Sequence, residues 1–371
     1  SYGPHAIYCA PPSSYYRIRQ VGYPIDERLA TEVFTGFAQF EDYPYACAYK
    51  TCRSAFFAMT MALWIPKLRL YPEQYRSSEG GCIDGAVKKA IPPFSKRIVP
   101  DFFQLTHMYE FVWNTAYFNG KDFDYNRDYG CMKRDFSQSE LDVFVRGWKP
   151  VIEHSPARPV RSTAYVTDFH YSDDTYEPYP HNISEENMGY LYEYARESGV
   201  PAGFALKWES LGALTAKDTD LLVIPSMANA PDWAADKIRE LYSAGVSVIS
   251  LSDVTGLEDL FGLTPCEANA DISELFSADG KSEFIPPKEG VPFRYAADGA
   301  KVLLDADGMP VVTLNGRAAH IHALLENVGV TKSELLKKVL TDLVKALSTP
   351  EIISDNCGIT VFEDVNGEKI L

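Results

Sequence analysis

The carboxylate with the strongest chemical context is Glu73, which follows a short predicted strand, Leu68 to Tyr71, and a proline. Gln74 comes directly after it, and a glycine-rich loop, residues 79–85, lies just downstream. An acid at the carboxyl end of a strand is where α/β barrels place catalytic groups. A glutamate in such a place can act as a nucleophile or as a general acid or base. The alternative, a helix-capping or surface glutamate, stays open.

A second pair of acids, Glu41 and Asp42, stands at the end of another predicted strand, Glu32 to Phe40. The carboxyl ends of parallel barrel strands meet on one face. We therefore expect Glu41 and Glu73 to open onto the same cleft. Aromatic residues make up 13% of the chain, and their faces suit flat, hydroxylated ligands such as sugars, although they also fill large cores.

About four strands are predicted in the first 155 residues, and they are His5–Ala10, Glu32–Phe40, Leu68–Tyr71 and Glu110–Phe118. An eight-stranded barrel takes about 250 residues. The simplest interpretation is that this region is the C-terminal half of a (β/α)8 barrel, with the first half outside this sequence or on another chain. Both ends of the chain have the pattern of cut ends. The alternative is a small open α/β sheet.

After a proline-containing linker the pattern becomes regular. The run Asp220–Pro225 is apolar after its first residue, as buried parallel strands are, and Val246–Leu251 is predicted to be the next buried strand. The alternation of helices and strands predicts an α/β domain with an open, doubly wound parallel sheet over residues 156–350. Residues 264–308 are predicted to be an irregular, partly β insertion, and Thr331–Leu347 an amphipathic helix.

This second domain lacks the motifs of three catalytic classes. No glycine-rich dinucleotide motif follows the strand Ser162–Thr167, and there is no P-loop. No cysteine stands on a strand-to-helix elbow after Leu251, and Ser252 lacks a glycine two positions later. His320 and His322 face one side of a predicted strand without a nearby third metal ligand. We expect this domain to pack, assemble or line a cleft rather than catalyse, and we predict no metal and no cofactor.

The amino-acid composition argues against several classes of partner and site. Lys and Arg number 35 and Asp and Glu 51, a formal charge of −16, which argues against nucleic acid and an anionic membrane surface. Seven scattered cysteines without a C-x-x-C pair fit neither a disulfide framework nor a zinc site. A reducing compartment, hence a cytoplasmic location, is expected. The sequence contains no run of 18 apolar residues, which is the length a helix needs to span a membrane.

Several short segments resemble glycoside hydrolase family 42 β-galactosidases and related clan A enzymes. Leu70–Gln74 is similar to the seventh barrel strand of that family, which ends in Glu-Gln, and Phe111–Trp113 to its eighth. Later segments, Arg161–Asp168, Asp220–Pro225 and Gly358–Phe362, match its following domains in order. The proline before Glu73 and the loop at residues 79–85 depart from the family pattern, which leaves the substrate open.

The resemblance implies three domains. Residues 1–155 would be the C-terminal half of a TIM barrel. Residues 156–350 would be a flavodoxin-like, amidotransferase-like domain that is catalytically silent and drives trimerisation. Residues 351–371 would begin a β domain.

The resemblance also implies a retaining β-glycosidase acting on a carbohydrate, with Glu73 as nucleophile and Glu41 as the second catalytic candidate. The acid/base, which the family carries as an Asn-Glu pair after strand four, has no counterpart here and would lie upstream of Ser1. The implied substrate-binding residues are Asp42, Gln74, Tyr75, Trp113, Asn114, Arg17 and Arg19. Two alternatives remain, a β-galactoside phosphorylase in which Arg17 or Arg19 holds phosphate, and a non-catalytic carbohydrate-binding or assembly protein.

Overall fold

The computed structural model describes residues 7–10, 37–42, 69–74, 157–167, 183–201, 203–322, 333–352, 361–364 and 366–370. The chain divides into two compact units. The first consists of residues 1–158, 171–178 and 363–370, and the second of residues 159–170, 179–362 and 371. The strand predicted at Glu110–Phe118 lies outside the described residues.

In the first unit, the strands described before residue 75 form a three-stranded parallel sheet in the order β1–β2–β3. Its strands are β1 (Ile7–Ala10), β2 (Phe37–Asp42) and β3 (Arg69–Gln74). The prediction that the third strand stops at Tyr71 is wrong, because β3 continues through Pro72. A strand tolerates proline where its missing N–H would point away from the neighbouring strand. Likewise β2 runs two residues beyond its predicted end at Phe40.

The second unit contains most of the described residues. Its helices are α1 (Ile183–Glu197), α2 (Trp208–Leu211), α3 (Ala234–Ser243), α4 (Glu258–Phe261) and α5 (Glu334–Leu347). The strands of its large sheet are β5 (Ser162–Val166), β6 (Phe204–Leu206), β7 (Thr219–Ile224), β8 (Ser247–Ser250), β9 (Leu263–Ser277), β10 (Ser282–Ala297), β11 (Lys301–Ala306), β12 (Met309–Asn315) and β13 (Ala318–Ile321). A separate three-stranded sheet, most of whose residues belong to the first unit, joins β4 (Ala157–Pro159), β14 (Phe362–Asp364) and β15 (Lys369–Ile370).

The large sheet has nine strands in the order β10–β9–β11–β12–β13–β8–β7–β5–β6. From β13 to β6 neighbouring strands are parallel, and from β10 to β13 they are antiparallel. The α/β class predicted from the sequence is confirmed, but a purely parallel sheet is wrong. The region predicted to be an irregular, partly β insertion supplies three strands of the sheet, β9 to β11, so its strand content is higher than predicted.

The central strands of the parallel half are buried on both faces. Every residue of β7 and of β8 is buried, so these strands need cover on both sides. On one side α3 supplies part of it, since its Ile238 and Leu241 lie in the same buried cluster as Leu222 and Val248. The helix α5 buries its own apolar stripe, and Ser333 caps it, since its hydroxyl accepts a hydrogen bond of 3.0 Å from the amide of Leu336.

The strands β9 and β10 form a long hairpin with irregular pairing. Its register shifts between Phe284 and Lys288 and again between Lys288 and Val291. Pro286 and Pro287 lie in the first of these intervals, and proline cannot donate to a ladder. The bulges therefore follow from the sequence of the hairpin itself.

Gly262 joins α4 to β9 in a left-handed conformation with φ of 63°. A Cβ atom here would lie 2.9 Å from the amide nitrogen of Ala300. Both the backbone angle and the close approach therefore require glycine at this junction. Among the helices that the structure describes, none combines the length and apolarity needed to cross a membrane.

Candidate functional site

The first candidate site is the carboxyl end of β2 and β3. In the parallel register of these strands, Glu41 is the Cα partner of Glu73, and Asp42 is the partner of Gln74. Four of the residues proposed from the sequence therefore stand in two adjacent rows at one end of one sheet. Parallel strands carry their carboxyl ends at the same edge, where α/β proteins bind ligands.

A row two residues earlier was not singled out from the sequence. Gln39 is the Cα partner of Tyr71, and Cys9 of β1 is the partner of Gln39. Because successive residues of a strand alternate between faces, Gln39 and Tyr71 belong to the same face as Glu41 and Glu73. The signal that could have revealed them is this two-residue spacing, and it becomes useful only once the register is known.

The remaining predicted site residues lie outside the described residues. They are Arg17, Arg19, Tyr75, Trp113 and Asn114. Their roles stay predictions, as do the catalytic roles of Glu41 and Glu73.

In the second unit, the loop after β8 is held by a hydrogen-bond network around Asp253. Its Oδ2 accepts a bond of 2.9 Å from the Tyr295 hydroxyl and one of 3.1 Å from the Thr255 hydroxyl, and its Oδ1 accepts one of 3.0 Å from the Thr255 amide. The Tyr295 hydroxyl in turn accepts a bond of 3.1 Å from the amide of Val254. These contacts bind the loop to the β10 strand. The network accounts for Asp253 as a structural residue.

The histidines singled out from the sequence are both in the core. His320 is fully buried in β13, and His322 is 5% exposed just beyond it. Their ring centroids are 4.3 Å apart with the ring planes at 76°. Burial lowers the pKa of His322 to about 4 and that of His320 well below its usual value, to which the charge of His322 also contributes. Both rings are therefore neutral near pH 7.

The described part of the chain contains no group of three or more His, Cys, Asp or Glu residues placed to hold a metal ion. The two histidine rings also pack edge to face, whereas a shared metal ion would need one nitrogen of each ring directed at it. Within these residues, the geometry supplies strand-end acids in the first unit and a packed core in the second.

No protein-family profile matches the chain, and no curated protein matches it significantly. Solved structures do match. A β-galactosidase from the psychrophilic Marinomonas ef1 is 12% identical, with a TM-score of 0.52 over 91% of this chain and 57% of that one. A catalytic mutant of a family 42 β-galactosidase from G. stearothermophilus is 13% identical, with a TM-score of 0.55 over 96% and 56%.

The fold is similar to that of family 42 β-galactosidases. An exo-β-1,4-mannosidase from Opitutaceae bacterium strain TAV5 also matches, at 9% identity and a TM-score of 0.55 over 85% of this chain and 60% of that one. These neighbours are glycosidases, and at such identities the likeness concerns the fold. The chain spans 56–57% of the length of the two β-galactosidases. In this family-42-like fold, Glu41 and Glu73 are the described acids that share one strand-end row.

Proposed function

We propose that this chain carries part of a retaining β-glycosidase of the β-galactosidase type, with Glu73 as the nucleophile. The observation that carries the proposal is the pairing of Glu41 with Glu73 at the carboxyl ends of two parallel strands. Neighbouring strands of a sheet lie ~4.8 Å apart, so the paired positions would place both acids in one cleft. The acid/base that stands ~5–5.5 Å from the nucleophile of a retaining glycosidase would be a separate group.

We infer that β1 to β3 belong to the C-terminal half of a (β/α)8 barrel spanning residues 1–155. Residues 156–350 would form a flavodoxin-like domain, and residues 351–371 would begin a β domain. The parallel strands of the second unit have the order β6–β5–β7–β8–β13. This is the 2-1-3-4-5 order of flavodoxin-like sheets, which supports the second assignment.

The chemistry would proceed in two displacements. The Glu73 carboxylate attacks the anomeric carbon while the bond to the leaving oxygen breaks and a separate acid protonates that oxygen. Water then displaces Glu73 from the glycosyl-enzyme, which restores the original anomeric configuration. Glu41 and Asp42 would bind sugar hydroxyls or, for Glu41, take the second catalytic role. Gln39, which belongs to the same face as Glu73, is better placed than Gln74 to donate a hydrogen bond that keeps the nucleophile ionised.

The decisive experiment replaces Glu73 with alanine in the complete protein. Turnover of an aryl β-galactoside should fall by far more than tenfold, and added azide should restore it by attacking from the vacated face. A β-configured substrate would then give the α-glycosyl azide. Asp42→Asn is the matched control on the neighbouring strand, and it should raise KM while leaving azide without effect. If Glu73→Ala keeps more than about a tenth of kcat, ~1.4 kcal/mol of barrier, Glu73 is not the nucleophile.

Two further measurements separate the alternatives. Turnover that requires inorganic phosphate and yields a sugar phosphate would identify a phosphorylase. Sugar binding without any turnover in the complete protein would identify a binding or assembly protein.

We also propose a homotrimer assembled through the second domain. Light scattering on the complete protein would test this by measuring the mass of the assembly.

A further inference from the structure

The buried histidines connect three parts of the second unit. The ring centroid of His320 is 5.5 Å from that of Tyr295 on β10 and 6.3 Å from that of Phe261 on α4. The ring centroid of His322 is 5.8 Å from that of Phe293, also on β10. The pair therefore packs the long β9–β10 hairpin and α4 against β13.

The imidazole nitrogens in this contact have no hydrogen-bond partner among the described residues. This holds for both nitrogens of His320 and for Nε2 of His322. The hydroxyls of Thr313 and Ser250, the Cα partners of His320 on the neighbouring strands, are likewise without partners among the residues described. Buried polar groups are normally paired, so this row is an exception that calls for an explanation. In this surrounding the histidines can be buried only as neutral rings.

We propose that the His320–His322 pair is an acid-sensitive link that holds the β9–β10 hairpin on the sheet and releases it when the imidazoles take up protons. An imidazolium here would lack an acceptor, and two of them would stand with ring centroids 4.3 Å apart. Moving the hairpin away would uncover both rings, because two of the three aromatic contacts come from β10.

Other ionisable groups on the packed elements do not compensate the charge. Tyr295 faces the pair, and its hydroxyl is already bonded to Asp253. On α4, Asp259 pairs with Arg239, and Glu258 accepts a bond from the amide of Gly256. On β10, the side chain of Arg294 is exposed. The acid response therefore depends on the two histidines.

The direction of the effect follows from the lowered pKa values. An exposed histidine has a pKa near 6.5, and that of His322 is about 4 in the folded chain. Between these values the closed form binds fewer protons than the open form, so its stability is complete above about pH 6.5 and is lost as pH falls towards 4. For His322 alone, these two pKa values correspond to a ~30-fold larger opening constant at about pH 5 than at about pH 7.5.

Hydrogen exchange of the intact protein, corrected for the intrinsic pH dependence of exchange, tests the link. On acidification to about pH 5, amides of residues 263–297 should lose protection by about tenfold or more, while those of β7 (residues 219–224) should keep theirs. The double variant His320→Leu/His322→Leu should lose this difference between pH values. His322→Gln offers a polar, non-titrating alternative if the double variant fails to fold, and it should reduce the response.

Thr313→Val is the matched control, because it removes a buried unpartnered hydroxyl from the same row and leaves both imidazoles in place. It should respond to acid as the wild type does. Equal protection of the hairpin at both pH values would overturn the proposal. So would simultaneous loss of protection in the hairpin and β7, or an unchanged acid response in the histidine variants.

Discussion

The hydroxyl of Tyr295 bonds both the carboxylate of Asp253, at 2.9 Å, and the amide of Val254, at 3.1 Å. Tyr295 lies on the β10 strand and the other two residues follow β8, so these bonds fasten the hairpin to a loop at the end of the parallel strands. All three residues are buried. The connection is formed between residues more than 40 positions apart.

Tyr295→Phe should lower the free energy of unfolding by ~1–3 kcal/mol, because the buried Val254 amide and one Asp253 oxygen lose a partner while the ring is kept. Urea unfolding measures the change. Tyr242→Phe is the matched control. It loses an exposed hydrogen bond of 3.3 Å from the Arg317 amide, and should cost less than ~0.5 kcal/mol. Equal losses in the two variants would contradict the role given to Tyr295.

Glu283 of the hairpin binds the N-terminus of α5. Its Oε2 accepts bonds of 2.8 Å from the Ser333 hydroxyl and 2.7 Å from the Leu335 amide. Glu283→Ala should cost ~0.5–2 kcal/mol, since helix N-termini favour a negative charge and a hydrogen-bond acceptor. Thermal unfolding should show a lower Tm than for Glu289→Ala, an exposed glutamate on the same hairpin. An unchanged Tm in Glu283→Ala would show that Ser333 alone caps the helix.

Asp220 is buried at the start of β7, where its Oδ2 accepts bonds from the Ser348 hydroxyl, at 3.0 Å, and the Thr349 amide. Burial raises the pKa of its carboxyl above the ordinary value of 3.8, although these bonds oppose the rise. A raised folded pKa means that the folded chain binds more protons. As pH rises from the ordinary pKa of 3.8 through the raised pKa of the folded chain, the stability of the wild type therefore falls, and it stays lower above that pKa.

Asp220→Asn should thus gain stability relative to the wild type between about pH 4 and pH 7, because the amide oxygen still accepts and carries no charge. Chemical unfolding at the two pH values measures the difference in stability between the variant and the wild type. The acid response of the histidines cancels in this difference because both proteins contain them. Asp220→Ala should instead be destabilised by ~1–3 kcal/mol at both, because it leaves the Ser348 hydroxyl and Thr349 amide unpaired. A wild-type advantage over the asparagine variant that grows with pH would refute this assignment.

Glu41→Gln tests whether two acids share the proposed cleft. A nearby like charge raises the pKa of a carboxyl group, so removing the Glu41 charge should lower the pKa of Glu73. The acidic limb of the kcat/KM profile of the complete protein should then move to lower pH. Asp42→Asn, one position further along β2, should move it less. An unmoved limb in Glu41→Gln would mean that the paired backbone positions do not bring the two charges together.

Local sequence patterns were sufficient to predict strands that are buried along their whole length and helices with one buried face. The apolar runs predicted β7 and β8 to within a residue or so, and the spacing of Leu336, Leu340 and Leu343 predicted α5. The strand-end acids Glu41 and Glu73 were also found from their neighbours along the chain. In each case the information lies within a few residues, because periodicity and burial are local properties.

Pairing between distant segments was decided by the tertiary structure. The hairpin at residues 263–297 has bulges and many exposed positions, so its period of two is too broken to predict strands. Pro72 suggested a strand end, yet β3 continues because β2 can pair with it beyond that point. The register that sets Glu41 beside Glu73, and the packing of His320 against β10, both join residues more than 20 positions apart. Such contacts depend on how the whole chain closes its loops and covers its core, and no local pattern contains that information.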